Sequence, residues 1–489
     1  MSRLPRLVLF NGAILTLLLF VWTSTHQPMT EARQPDSSSY RRILTVIDFG
    51  AVGDGKADDT AAIQRAVNSG IGDVRFPRGA YRITKSIKVA LDETGPTSIV
   101  ANGTARIINA GPGAAIVFVG THQGTASPHT VTGNVWERQR TPMIDGIEIV
   151  GAHPQASGIE ATGTMQAIFT RVTVRNALHG IHLTTRNRNV IISECHLYDN
   201  HGIGIFLDHL NLHQVNITNC HISYNDMGGI VARDSEIRNL HIGSCDIEGN
   251  MSDQTAPTAN ILLDTRNGTV REGAIVGCTI QHSHNAPNSA NVRFIGKSRQ
   301  EPQKVGHFTI GDNALSDVAV NVELINARGV TIMGNTFWKA FQQNLLVTGS
   351  SNIVVGPNLF DRNPDYRPND SPNGIVFRDC ADCTLTGLHI NNTLRVPAAL
   401  IIEECDWFNI TACSVLDSDN CGILLRNCEH CRVSDCLVRD SRPQSQQPIA
   451  ISVTGGVENQ IVDNMFVGRR LIEEGTTSSS AGKKVRKAN

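Results

Sequence analysis

From residue 158 the chain repeatedly restarts itself. The openings GIEA, GIHL, GIFL and GIVA begin at Gly158, Gly180, Gly204 and Gly229, separations of 22, 24 and 25 residues. Each is followed by a second short run: RVTVRN, ECHLYDN, NCHISYN and SCDIEGN. The pattern continues through NILL at Asn260, NVRF at Asn291, NVEL at Asn321, NLLV at Asn344, GIVF at Gly374, ALII at Ala399 and GILL at Gly422, eleven starts in register. Such a unit cannot bury an apolar face alone, so the copies must stack.

Within each start the positions one and three residues on are apolar, as in Ile181 and Leu183, Ile205 and Leu207, Ile261 and Leu263, and Ile423 and Leu425. The alternate positions are mixed or polar. A period of 2 means a strand with one buried face. Repeats of this length with Gly and Asn at corners predict an all-β fold, a single-stranded right-handed parallel β-helix. The Leu-x-x-Leu-x-Leu frame of leucine-rich repeats is missing.

A stack of coils exposes an apolar layer and an open strand edge at each end. The stretch TAAIQRAV supplies a cover over 59–69: Asp59 or Thr60 can cap the helix amides, Ala62, Ile63, Ala66 and Val67 make one apolar face, and Gly70 stops it. Upstream, Arg3 and Arg6 precede an apolar run from Leu7 to Trp22, the order of a signal peptide and shorter than the roughly 20 residues that span a bilayer. The expected organisation is a signal peptide or membrane anchor at 1–32, a linker at 33–42, the β-helix at 43–468 and a disordered tail at 469–489. Export implies a secreted, periplasmic or cell-surface protein.

The stretch DFGAVGDGKADDTAAIQRAV, followed by GDVRFPRGAYRI at Gly72–Ile83, resembles the N-terminal signature of the pectate-lyase-like superfamily. That superfamily includes polygalacturonases, rhamnogalacturonases, related epimerases and phage tailspike depolymerases, so the resemblance implies the same β-helix without choosing a reaction. The polygalacturonase pattern of Asn-Thr-Asp, paired Asp, Gly-His-Gly and Arg-Ile-Lys does not occur on the repeats, and Asp-Pro-His of alginate epimerases is absent. No catalytic residue is carried over from any family.

Cys195, Cys220 and Cys245 recur every 25 residues, and Cys380, Cys405 and Cys428 every 25 and 23. Interior thiol stacks, disulfides between neighbouring coils and a zinc ribbon built from CADC and CEHC all fit this spacing; Phe408 at the matching second-Cys position favours the interior stack. No metal or other cofactor is expected. Asn176, Asn200, Asn225 and Asn250 close the second run of four coils and predict a stacked corner ladder.

Outward positions are where chemistry can lie. His182, Asp208, His209, Arg233, Asp234, Asp264, Arg266 and Arg293 concentrate titratable groups on one face. Glycosidases need two carboxyl groups about 5.5 Å or about 6.5–9.5 Å apart; Asp208 and Asp264, two coils apart, fall near 9.6 Å by strand spacing. Lyases and epimerases need a base at the sugar C5 and cations for the uronate. On either reading Asp208, Asp264, Asp234, His182 and His209 are the catalytic candidates, and Arg233, Arg266, Arg293 and the loop residue Trp136 the substrate contacts. The alternation of sign along Asp208, Arg233 and Asp264 also fits a plain ladder of opposite charges.

With 43 basic and 45 acidic residues no global field favours nucleic acid. The expected partner is a polysaccharide, acidic or neutral, with membrane contact only through an N-terminal anchor. Two functions stay open: an enzyme acting on an extracellular polysaccharide by hydrolysis or by uronate lyase or epimerase chemistry, and a non-catalytic polysaccharide-binding or surface-structural solenoid.

Overall fold

The computed structural model describes residues 43–472, apart from 125–126, 255–257, 302–303, 368 and 444–445. The expected signal or anchor, the linker and the tail after 472 lie outside the described residues. Strands pair in parallel from one coil to the next. Ile181 is in register with Ile205, Ile205 with Ile230, and Ile230 with Ile261. Inward Ile and Leu side chains of successive coils stack into one continuous core, the arrangement that the period-2 pattern dictates.

Corners between strand segments use the left-handed backbone, which Asn, Asp and His adopt more readily than other non-glycine residues. Thr185, His209 and Asp234 hold φ of 61°, 45° and 51° at one corner of successive coils. This corner ends the outward row that carries the charged residues.

Helix α1 (Thr60–Asn68) covers the first coil, with Ala62, Ile63, Ala66 and Val67 buried and Gly70 left-handed behind it (φ 72°). It also blocks the open edge: Gln64 Oε1 accepts from the Lys88 amide at 2.9 Å while Gln64 Nε2 donates to the Lys88 carbonyl at 2.8 Å. Capping differs from expectation. Asp59 turns away from the helix to accept from the amides of Val52 and Gly53, and Asp58 accepts from the Thr60 amide instead. At the far end Arg469–Ile472 pairs with Ile449–Thr454. The solenoid therefore continues past the boundary expected at 468, because an edge strand still offers a backbone ladder there.

The asparagine ladder is longer than expected and starts later. Asn200, Asn225 and Asn250 donate each to the next, Asn250 donates to Asn260 within one coil, and Asn260, Asn291, Asn321 and Asn344 continue. Asn176 is not a member. It is exposed at the left-handed corner (φ 53°) in register with Asp199, and Ala177 takes the ladder position, its amide donating to Asn200. The ladder also explains the switch of start residue from Gly to Asn. A Cβ at Gly229 would stand 2.9 Å from Asn250 Nδ2, so a coil draws its amide from the corner or from the start.

All twelve cysteines are buried and unpaired. Cys195, Cys220, Cys245 and Cys278 lie above one another, with the Cys245 amide 3.5 Å from Cys278 Sγ. The hydrogen bond with the neighbouring thiol, and then burial, push Cys220 and Cys245 up to about 12.

Candidate active site

Two outward rows run along the face formed by Ala156–Thr162, Ile181–Ser193, Ile205–Thr218, Ile230–Arg233, Ala259–Asp264, Ala290–Ile295 and Val318–Ile325. In one row Glu160, His182, Phe206, Val231, Leu262, Arg293 and Glu323 are in register; beside it run Thr184, Asp208, Arg233, Asp264 and Ile295. Two clusters result.

The first is an acid–imidazole cluster. His182 lies between two carboxylates, Nδ1 3.6 Å from Glu160 and Nε2 3.4 Å from Asp208. Its ring stacks on Phe206 at 5.2 Å and 15°. Hydrogen bonding to His182 holds the Glu160 carboxyl below its usual range, against its burial. Asp208 also reaches His209 Nδ1 at 2.8 Å, and His209 Nε2 is 3.8 Å from Asp234, whose Oδ1 accepts from Asn267 at 2.9 Å. His209 is the accessible member, 71% exposed against 20% for His182. In the tautomer that donates Nδ1–H to Asp208, Nε2 of His209 is a base, on a ring that is largely exposed.

The second cluster lines a cleft of about 500 Å³ with Arg233, Asp264, Arg266, Arg293 and Glu323 on its walls. Two of its arginines are committed. Arg266 Nε donates to Asp264 Oδ1 at 2.9 Å. Burial raises the Asp264 carboxyl, but the Arg266 hydrogen bonds and the charges of Arg266 and Arg233 outweigh it and hold it below the usual range. Arg293 is 8% exposed, ion-paired to Glu323 and hydrogen-bonded to the carbonyls of Thr258 (2.8 Å) and Asn288 (2.6 Å). It braces the sheet. Arg233 differs: its guanidinium makes no ion pair or hydrogen bond among the described residues, and lies 6.0 Å from the Phe206 ring.

Trp136 sits elsewhere, on helix α2 (Gly133–Arg138), with Arg140 over its ring at 4.8 Å. The sequence reading missed His179 and Phe206. His179 accepts from the Ile203 amide at Nδ1 (3.1 Å) and lies 6.0 Å from His182 and 5.2 Å from Phe206. Burial, then the His182 charge, lower it to about 4. Its signal was the polar side chain just before the start glycine Gly180; that of Phe206 was an aromatic at an outward position.

The fold defines the class: this chain is a right-handed parallel β-helix whose N-terminal part matches a pectate lyase-like family description. Three family descriptions match, the last two overlapping: rhamnogalacturonase A/epimerase, pectate lyase-like, at 43–113; right handed beta helix region at 114–275; and periplasmic copper-binding protein (NosD) at 259–479. Alginate lyase 7 of Azotobacter vinelandii is 28% identical over 185 residues, 33% of this chain and 20% of that protein. Mannuronan C5-epimerase AlgE3 of the same organism is 37% identical over 78 residues, 15% of this chain and 4% of that protein. The chain thus matches a fifth or less of the length of these relatives. A solved tailspike protein of bacteriophage CBA120 covers 91% of this chain at 12% identity, with 62% of its own length aligned and a TM-score of 0.45. The residues of the NosD-like region do not fit a copper centre: its thiols are buried in the core, and no group of three or more His, Cys, Asp or Glu among the described residues converges on one point.

Proposed function

We propose that this protein binds an acidic polysaccharide across its coils and removes the C5 proton of a uronate residue, the step common to polysaccharide lyases and uronate C5-epimerases. Arg233 carries the reading. An unpaired guanidinium flanked in register by Asp208 and Asp264 offers a planar fork for a sugar carboxylate. Neutralising that carboxylate acidifies the C5–H bond. His209 Nε2 takes the proton, with Asp208 fixing the ring and stabilising the imidazolium. The C5–H electrons then form a C4–C5 double bond as the C4 oxygen leaves, giving elimination, or a proton returns on the opposite face, giving inversion.

The likeness of parts of the chain to an alginate lyase and mannuronan epimerases supports the substrate class. Hydrolysis fits less well, since its general acid needs a raised carboxyl, and the shifts of Glu160 and Asp264 run downward. The apolar run behind Arg3 and Arg6 supports export to a secreted, periplasmic or cell-surface location, where such polymers occur. A panel of acidic and neutral polysaccharides tests the proposal, read by ultraviolet absorbance of unsaturated uronates, by C5 configuration and by reducing ends. Elimination or inversion on a polyuronate supports it. Reducing ends without unsaturation mean hydrolysis, and binding without turnover means a non-catalytic solenoid.

A further inference from the structure

Past the corner residues Thr185, His209 and Asp234 the chain enters another strand segment with its own outward row. Asn187, Leu212, Ile237 and Val270 are buried on successive coils. In register beside them the buried Arg188 and the half-buried His213, Arg238 and Arg271 form one line. Strands lie about 4.8 Å apart, and like charges stacked directly across strands destabilise a sheet. Several other arginines of this solenoid are matched by carboxylates, as Arg175 is by Glu148 and as Arg378 and Arg426 are by Glu403.

No carboxylate interrupts this row. Arg271 makes no hydrogen bond or ion pair among the described residues, and its Nε is buried without a partner. Among the described residues Arg238 donates only to the carbonyls of Ile237 (3.0 Å) and Thr269 (3.5 Å). His213 Nδ1 is likewise buried without a partner. The bordering acids are Glu236, which accepts from Thr269 Oγ1 at 3.2 Å, and Glu272, at the corner after Arg271 (φ 65°).

A groove of about 630 Å³ runs along the same coils, lined by Gln166, Asn189, Gln214, Asn216, Asn239 and His241. Asn189, Gln214 and Asn239 directly follow Arg188, His213 and Arg238 in the chain, so each of these coils places an amide beside a member of the row. Asn189 Oδ1 is buried without a partner. Charge for carboxylates and amides for hydroxyls are what an acidic sugar chain requires. Single-stranded nucleic acid would need aromatic platforms for its bases, and neither the row nor the groove lining carries a Phe, Tyr or Trp.

We propose that this row and groove form a second binding track, separate from the Asp208–His209 face, that holds an anionic polysaccharide along the solenoid axis. The inference does not depend on whether the Asp208–His209 face is catalytic. It is tested on the full chain by titrating polymannuronate or polygalacturonate, a neutral glucan and single-stranded DNA at several salt concentrations. Polyuronate should bind most tightly and weaken as salt rises. Joint Arg238→Gln and Arg271→Gln substitution should cost about tenfold or more in affinity, with recovery in the corresponding Lys pair. Unchanged affinity overturns the proposal, as does a loss confined to Arg233→Gln, which would leave the proposed function standing. Tighter binding of single-stranded DNA overturns the ligand class. If the Gln pair does not fold, Gln214→Glu at an exposed groove position should weaken polyuronate binding, and unaltered binding there counts against the track equally.

Discussion

His209 Nδ1 lies 2.8 Å from the carboxylate of Asp208, its neighbour in the chain. Adjacent residues on a strand point to opposite faces. The pair forms because His209 occupies the left-handed corner (φ 45°) that ends the strand run. Asp208→Asn keeps the shape and an acceptor for the imidazole but loses the negative charge that stabilises the imidazolium, and turnover on a polyuronate should fall about a hundredfold or more. The melting midpoint should move little. Asp264→Asn, which breaks the Arg266 pair, should show the reverse: lower stability and near-normal turnover. Full activity in Asp208→Asn would remove Asp208 and His209 from the reaction.

Stability should depend on acid through His179. Its folded value is about 4 against the ordinary 6.5, so between these values the unfolded chain holds a proton that the native chain lacks. The contribution is complete above about pH 6.5 and is lost as pH falls toward 4, at most about 3 kcal/mol. Thermal melting across this window should show a shallower slope in His179→Asn than in the parent. Equal slopes would contradict the assignment.

The asparagine ladder should be costly to interrupt. Asn225→Ala removes one of the two acceptors of the Asn200 side-chain amide, which keeps the Val174 carbonyl, and the donor to the Leu197 carbonyl, and should destabilise by about 1–3 kcal/mol. Asn176→Ala, at an exposed corner, should cost no more than about 1 kcal/mol. Denaturant midpoints of the two variants test this contrast directly.

Replacing Ile63 and Val67 with Asp puts charge where α1 seals the first coil; both side chains are buried. The variant should melt lower and associate through the uncovered end. A monomer with unchanged melting would remove the capping role.

The β-helix was legible because its period repeats at every start, so that Ile181, Ile205, Ile230 and Ile261 announce one buried row. Row membership of the charged residues was legible for the same reason. What each charge does was not. Arg233, Arg266 and Arg293 look alike in sequence, yet one is unpaired, one is clamped to Asp264 and one is buried against Glu323. That difference is set by loops and by rotamers, which the period does not encode. The Asn250-to-Asn260 step was hidden because the two residues occupy different positions of the repeat and meet only in space.

The central claim is proton removal from C5 on the face that carries Asp208, His209 and Arg233. A polyuronate labelled with deuterium at C5 and incubated with the protein tests it most directly, the label being followed by mass spectrometry. Deuterium should be lost to solvent, by elimination or by inversion, at a rate that drops about a hundredfold or more in Asp208→Asn. Shortened chains that keep their C5 deuterium, or labelled polymer recovered unchanged, would contradict it.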